Sequence, residues 1–201
     1  MTYEYFIGPD GVFPSPIIAL LFTLTQFGFM ATESRRKRSG TDTVARVRGV
    51  FPPMWLALLT GLMARLAFGF LKIGTLHGEA RELAVWVGVG FVALGWGLRV
   101  WAQQALGRYF IGEVAVQRDQ PVVTRGPYRW MRHPAYTGGF LASIGFGLML
   151  STWLGALVSA VMLIWAYAVR VPREEALMVE QFGEAYRQYA ARTARFVPFL
   201  F

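Results

Sequence analysis

The chain has 201 residues, with 20 Lys and Arg against 12 Asp and Glu for a formal net charge of +8; it is 55% hydrophobic and 15% aromatic, and its mean hydropathy is +0.40. Ordinary soluble domains run nearer roughly 45–50% apolar even with glycine counted, so a soluble domain is excluded and an integral membrane protein is expected. The absence of cysteine removes disulfides, thiolate metal sites and a cysteine nucleophile.

In chain order, the N-terminus MTYEYFIGPDG has no cation ahead of its apolar run and carries Glu4 and Asp10, unlike a cleaved signal peptide. Gly11 to Thr32 is uncharged and long enough to cross a bilayer, which takes about 20 residues. A polar loop with Arg35, Arg36, Lys37, Arg38, Arg46 and Arg48 follows, the pattern of a topogenic cytoplasmic loop. A second span is expected from about Val50 to Leu71 and a third from about Leu83 to Leu106. Each contains an arginine, Arg65 and Arg99, and an ionisable residue inside a span is a functional candidate by default. Arg99 lies close enough to the surface to snorkel.

Residues 124 to 138, TRGPYRWMRHPAYTG, set Arg125, Arg129, Arg132 and His133 directly against Pro134 to Val169, which contains no charge. Pro127 and Pro134 interrupt any helix there, so a loop with short helical pieces is expected. The charge-free run is too long for one straight crossing, and a hairpin turning near Ser151 and Thr152 fits it. Gly139, Ser143 and Gly147 fall four apart, the spacing that lets membrane helices approach closely. Beyond Arg170, Pro172 suits the first turn of a new helix, and Arg173 to Thr193 reads as an amphipathic helix with Phe182, Tyr186 and Tyr189 on its apolar stripe. The closing RFVPFLF is a docked tail.

The expected fold is therefore all-α and multi-span, with about five transmembrane helices including a C-terminal hairpin, plus a cytoplasmic amphipathic helix. It forms one membrane domain over 1–201, divided at 116/117 into a three-span part and a C-terminal core. All Lys and Arg except Arg65, Lys72 and Arg81 fall on one side, which the positive-inside rule makes cytoplasmic, with the N-terminus outside. Membrane topology accounts for the basic balance, and no nucleic acid is needed.

No GxxxxGK[ST] loop, GxGxxG after a strand, HExxH pair or GxSxG elbow occurs. Of the two histidines, His77 is expected across the membrane from His133, which excludes a histidine-rich metal site. What remains is a histidine, arginines and the paired Glu174 and Glu175 beside hydrocarbon, suited to a polar or cationic cofactor meeting a lipid-like substrate. Each has a plainer use: Glu174 and Glu175 as first-turn acids of a helix, His133 as an interfacial residue, Arg125, Arg129, Arg132 and Arg173 as topogenic charges, Tyr186 and Tyr189 as packing, Glu180 and Glu184 as a solvated face.

RGPYRWMRHPAYTG, the hairpin, and RVPREEALMVEQFGEAYRQYAARTARFVPF, in that order, resemble the isoprenylcysteine carboxyl methyltransferase family of integral membrane enzymes and its prokaryotic relatives, over about Gln117 to Phe199. The resemblance implies a multi-pass enzyme of the bacterial inner membrane that uses S-adenosylmethionine and no metal, and methylates a lipophilic acceptor, a carboxylate first, with phospholipid amines and small molecules among relatives' acceptors. It implies that Val122, Val123 and Gly126 by their backbone, with Tyr128, Arg132, His133, Pro134 and Tyr136, line the cofactor pocket. Glu174 and Glu175 would face the cofactor's polar end, Arg170 and Glu174 would be the catalytic residues, and Tyr128, Trp130 or Tyr136 would hold the adenine. A carboxylate acceptor needs little acid or base help, with Arg170 binding it bidentately; an amine would want Glu174 or His133 as base. Membrane sterol and steroid reductases that use NADPH carry a similar RHPxY motif, but favour Asn where this chain has Ala135. A non-enzymatic membrane scaffold is the third reading, against which Arg170, His133 and both glutamates argue.

Overall fold

The computed structural model describes residues 43–46, 51–110 and 114–198. The first expected span and most of the basic loop after it lie outside these residues. The described elements are β1 (Thr43–Arg46), α1 (Phe51–Leu71), α2 (Gly78–Leu106), β2 (Ala115–Gln117), α3 (Pro134–Met149), α4 (Trp153–Phe182) and α5 (Glu184–Arg192), with 3-10 turns at Gly107–Tyr109 and Gly126–Arg129.

Three of these helices, α1 from Pro53, α2 with its following turn, and α4, are long and apolar enough to cross a membrane. Their outward faces carry Leu56, Leu59 and Met63 on α1, Leu83, Trp86 and Leu94 on α2, and Leu157, Val161 and Ile164 on α4, with Leu83 and Leu94 each 67% exposed. In water each such side chain would forgo about 1.5–3 kcal/mol of burial, so surfaces of this kind belong in hydrocarbon. The chain is thus a helical multi-pass membrane protein.

The hairpin turns where the charge-free run requires it. α3 ends at Met149, Thr152 caps α4 by accepting a hydrogen bond from the Gly155 amide at 2.9 Å, and Ser151 and Thr152 are buried in the turn. The two arms are unequal. α3 has 16 residues and rises about 24 Å, short of the roughly 30 Å hydrocarbon core, whereas α4 has 30. α3 is accordingly the shorter arm of the hairpin, with none of its residues exposed.

α4 also corrects the expected break at Pro172. It runs unbroken through that residue to Phe182, and α5 starts separately after Gly183, whose φ of 57° lets the chain turn in the left-handed region. Pro172 cannot supply an amide to the carbonyl of Ala168, but Val171 beside it and Leu177 a turn and a half later are buried, so tertiary packing holds the helix through the defect. Glu174 and Glu175 therefore sit well inside a helix, and their explanation as first-turn acids falls away.

α2 and α3 approach until backbones touch. A Cβ on Gly88 would lie 2.6 Å from the Gly145 carbonyl oxygen, and one on Gly95 would meet the Gly138 carbonyl oxygen and come 2.6 Å from the Ala142 amide nitrogen. The expected stripe of Gly139, Ser143 and Gly147 faces elsewhere. Gly147 abuts Ala156 of α4, Gly139 looks to the Tyr167 hydroxyl, and Ser143 accepts from Arg65. Gly95→Ala is expected to cost at least about 1–3 kcal/mol through overpacking. Gly90→Ala, with nothing within 4 Å, should gain a few tenths to about 1 kcal/mol from helix propensity. Thermal unfolding of the two variants in detergent checks the difference.

Arg65 joins three helices: its Nη1 donates to Ser143 Oγ at 2.9 Å and to Ser159 Oγ at 3.1 Å, and Ser159 Oγ donates to the Gly61 carbonyl at 3.1 Å. It is buried and does not line the cavity described below.

Helical patterning gave no sign of the small sheet. β1 pairs antiparallel with β2, Ala45 opposite Val116 and Arg46 opposite Ala115, which ties the first basic loop to the end of the molecule that carries the motif loop. At the other end, Thr75 bridges Thr152, so the α1–α2 and α3–α4 turns lie together. This arrangement agrees with the segregation of charge read from the loops.

Candidate active site

The motif loop is shaped by its prolines and by the C-terminal tail. Gly126 opens a 3-10 turn with Pro127 behind it, His133 occupies the N-cap position of α3, and Pro134 takes the first helical position, where its missing amide costs nothing. The tail beyond α5 lies across this loop as a parallel strap. Arg132 N donates to the Ala194 carbonyl at 2.8 Å, His133 N to the Arg195 carbonyl at 3.1 Å, Ala194 N to the Trp130 carbonyl at 3.1 Å, and Thr137 Oγ1 to the Phe196 carbonyl at 2.8 Å. Of the docked tail expected from sequence, Arg195 and Phe196 are thus part of the wall that supports the motif, and residues 199–201 lie outside the described residues.

Between the motif loop, α4 and the start of α1 lies a cavity lined by Val122, Val123, Tyr128, Arg132, His133, Tyr136, Arg170 and Glu174, all of them site candidates from sequence. Gly126, Pro134 and Glu175 do not line it. Gly126, with φ 60°, fits against Ala105 and Trp101; Pro134 is fully buried behind His133; and Glu175 turns to the strap. Trp130 is directed away as well, 40% exposed and set edge-on to Trp101 with centroids 5.7 Å apart.

α4 supplies Arg170 and Glu174 one turn apart. Glu174 Oε2 accepts from the Tyr136 hydroxyl at 2.6 Å and lies 3.8 Å from Arg170 Nε; its Oε1 accepts no hydrogen bond among the described residues, the nearest partner being His133 Nδ1 at 3.9 Å. The buried Arg170 guanidinium sits 5.5 Å over the Tyr136 ring. Tyr136 is held in turn by Tyr167, whose hydroxyl donates to the Tyr136 carbonyl at 3.1 Å. A carboxylate oxygen with spare acceptor capacity, a buried guanidinium and the tilted Tyr136 and Tyr167 rings, centroids 4.9 Å apart, thus belong to one cavity.

The wall holds further residues beyond the motif's own. Arg99 does not snorkel outward: its Nη1 donates to the Ala135 carbonyl at 3.2 Å, its guanidinium lies 5.8 Å from the Phe110 ring, and it lines the cavity. Its position within an apolar span was the available signal. Tyr186 and Tyr189, read as packing residues, also line the cavity, and Tyr189 donates to the Tyr128 carbonyl at 2.8 Å. Burial, then the charges of Glu175 and Glu174, push the Tyr186 hydroxyl well above its usual range, and burial does the same for Tyr189. Both stay neutral hydroxyls at any physiological pH. Arg132, a site candidate from sequence, also holds Glu175 at 3.0 Å, the Ala190 carbonyl at 2.7 Å and the Thr193 carbonyl. Met54, Trp55 and Leu58 of α1 form an apolar wall that no motif announced. Glu180 and Glu184 are exposed, as expected.

The family model described as phospholipid methyltransferase matches residues 83–185, which run from α2 into α5 and contain the motif loop and both glutamates. Protein-S-isoprenylcysteine O-methyltransferase of Schizosaccharomyces pombe is 31% identical over 158 residues, covering 73% of this chain and 67% of its own length. Protein-S-isoprenylcysteine O-methyltransferase B of Arabidopsis thaliana is 36% identical over 115 residues, 56% of this chain and 58% of its own. Among solved structures, the eukaryotic intramembrane Ras methyltransferase, an isoprenylcysteine carboxyl methyltransferase, matches with a TM-score of 0.60 at 25% identity, covering 75% of this chain and 53% of that one. The chain thus spans between about half and two thirds of the length of these relatives. With the motif order, the helical architecture and these matches in agreement, the chain belongs to the family of integral-membrane methyltransferases that includes the phospholipid and isoprenylcysteine carboxyl methyltransferases.

Proposed function

We propose that this chain is an S-adenosylmethionine-dependent methyltransferase acting on a lipophilic acceptor that presents a carboxylate, of the isoprenylcysteine kind named for its relatives. The observation that carries the reading is the mixed lining of the cavity. The motif loop, α3 and α4 bring polar His133, Tyr136, Arg170 and Glu174 to it, and α1 brings apolar Met54, Trp55 and Leu58, with Trp55 also 39% exposed.

When bound, S-adenosylmethionine supplies a methyl group on a sulfonium, with an α-ammonium and an adenosyl moiety beside it. The residues present fit such a group. Glu174 Oε1 is an acceptor in want of a donor, as an ammonium requires. Tyr128, in the lining, offers an aromatic ring to a flat base, while the Tyr136 ring is already packed by His133 and Arg170. Arg170, and Arg99 across the cavity, are the cations able to hold an acceptor carboxylate. Attack by a carboxylate on a sulfonium methyl cancels charge, so the chain's part is to exclude water and align the partners. The apolar wall from α1 serves the first purpose and Arg170 the second. In this reading the motif loop, strap and cavity mouth face the cytoplasm of a bacterial inner membrane.

The test is calorimetric titration of detergent-purified protein with S-adenosylhomocysteine, paired with transfer of labelled methyl to an S-farnesyl cysteine carrying a free carboxylate and, separately, to phosphatidylethanolamine. Saturable binding and a base-labile label on the prenylcysteine are expected. Label on the phosphatidylethanolamine alone would move the acceptor to amines. NADPH binding in place of S-adenosylhomocysteine would overturn the reading.

A further inference from the structure

Glu175 is next to Glu174 in sequence but keeps different company. Its Oε1 lies 3.1 Å from His133 Nε2, 3.0 Å from Arg132 Nε and 3.3 Å from Arg195 Nε, and its Oε2 lies 2.7 Å from Arg195 Nη2. Three groups from the motif loop and the strap thus converge on one carboxylate that stays out of the cavity. The His133 ring is fixed on its other sides too. Tyr136 stacks on it with centroids 5.5 Å apart, Phe196 of the strap packs at 5.7 Å, and Nδ1 is 3.9 Å from Glu174 Oε1, on the cavity side.

An ionised carboxylate can only accept hydrogen bonds. The imidazole nitrogen that meets Glu175 at bonding distance therefore carries the proton, which leaves Nδ1 as the nitrogen that faces Glu174. A carboxylate behind a histidine commonly sets its tautomer and ring orientation in this way. Glu175 also reaches the strap through Arg195, so the same contact that orients the ring clamps residues 194–196 across the motif.

We propose that Glu175 is a positioning residue, which pins His133 with Nε2–H toward itself and Nδ1 toward the cavity and locks the strap through Arg195. Glu174 is then the member of the acidic pair that meets the ligand. Only the effect on ligand affinity rests on the methyltransferase reading; the state of the ring does not.

The chain has two histidines, so full-length protein labelled with ¹⁵N-histidine gives two imidazoles in detergent, assigned with His77→Gln. In the unsubstituted chain, the neutral ring of His133 should be the Nε2–H tautomer. Glu175→Gln should release that constraint, shift the His133 resonances and weaken S-adenosylhomocysteine binding about tenfold. Glu174→Gln should weaken binding without altering Nε2 protonation. An Nδ1–H tautomer in the unsubstituted chain would overturn the proposal, and that measurement needs no variant to fold. So would resonances that move with Glu174→Gln and stay fixed with Glu175→Gln. If the unsubstituted chain bound no S-adenosylhomocysteine, the methyltransferase reading would fail while the ring measurement still decided the role of Glu175.

Discussion

Glu174→Gln is expected to weaken S-adenosylhomocysteine binding about tenfold to a hundredfold while leaving the fold intact. Gln keeps the length of the side chain and can still accept from the Tyr136 hydroxyl, now at 2.6 Å, so the local packing survives. What goes is the negative charge on the oxygen turned to the cavity, whose nearest described partner is His133 Nδ1 at 3.9 Å. A hydrogen bond to a charged group contributes about 1.5–3 kcal/mol, and each 1.4 kcal/mol is a factor of ten, which sets the range. Calorimetry on the variant checks it, with thermal unfolding in parallel to show that the protein is folded. Affinity within about threefold of the unsubstituted chain, a difference of less than about 0.7 kcal/mol, would remove Glu174 from the ligand's contacts.

Hydropathy made the hairpin legible because Pro134 to Val169 is a charge-free run whose length allows one sharp turn, and the turn falls at Ser151 and Thr152 as that length requires. The site was legible where the chemistry is written in residue types: His133, Tyr136, Arg170 and Glu174 come together in one cavity. Four features were hidden for physical reasons. Pro172 is a strong local signal for a helix start, and only packing around Val171 and Leu177 reveals that the helix passes through it. The paired glutamates look equivalent in sequence, but adjacent helical positions point about 100° apart, so one reaches the cavity and the other the strap. Arg99 could have snorkelled to the surface by length alone, and its inward turn depends on the Ala135 carbonyl and the Phe110 ring, both distant in sequence. The antiparallel β1–β2 pair, with strands of four and three residues, is too short to carry a recognisable alternation.

Arg170→Ala should lower turnover about 10²-fold, the order of loss that follows when a reacting group is no longer held in line, while S-adenosylhomocysteine affinity changes less than about threefold. The unequal effect follows from where Arg170 sits. It lies one helical turn before Glu174, with Nε at 3.8 Å from that carboxylate, too long for a strong hydrogen bond, so Glu174 keeps its Tyr136 partner when the guanidinium is gone. Its guanidinium is buried over the Tyr136 ring at 5.5 Å, and losing that contact costs stability of order 1–2 kcal/mol, visible as a lower unfolding temperature but not as lost binding. Arg170→Lys separates the two contributions. A lysine returns a positive charge but not the planar fork that grips a carboxylate through two bonds, so it should restore much of the stability and little of the turnover. Parallel loss of binding and turnover in Arg170→Ala would instead make this arginine a support for Glu174 and Tyr136, and would leave Arg99 as the cation that meets the acceptor.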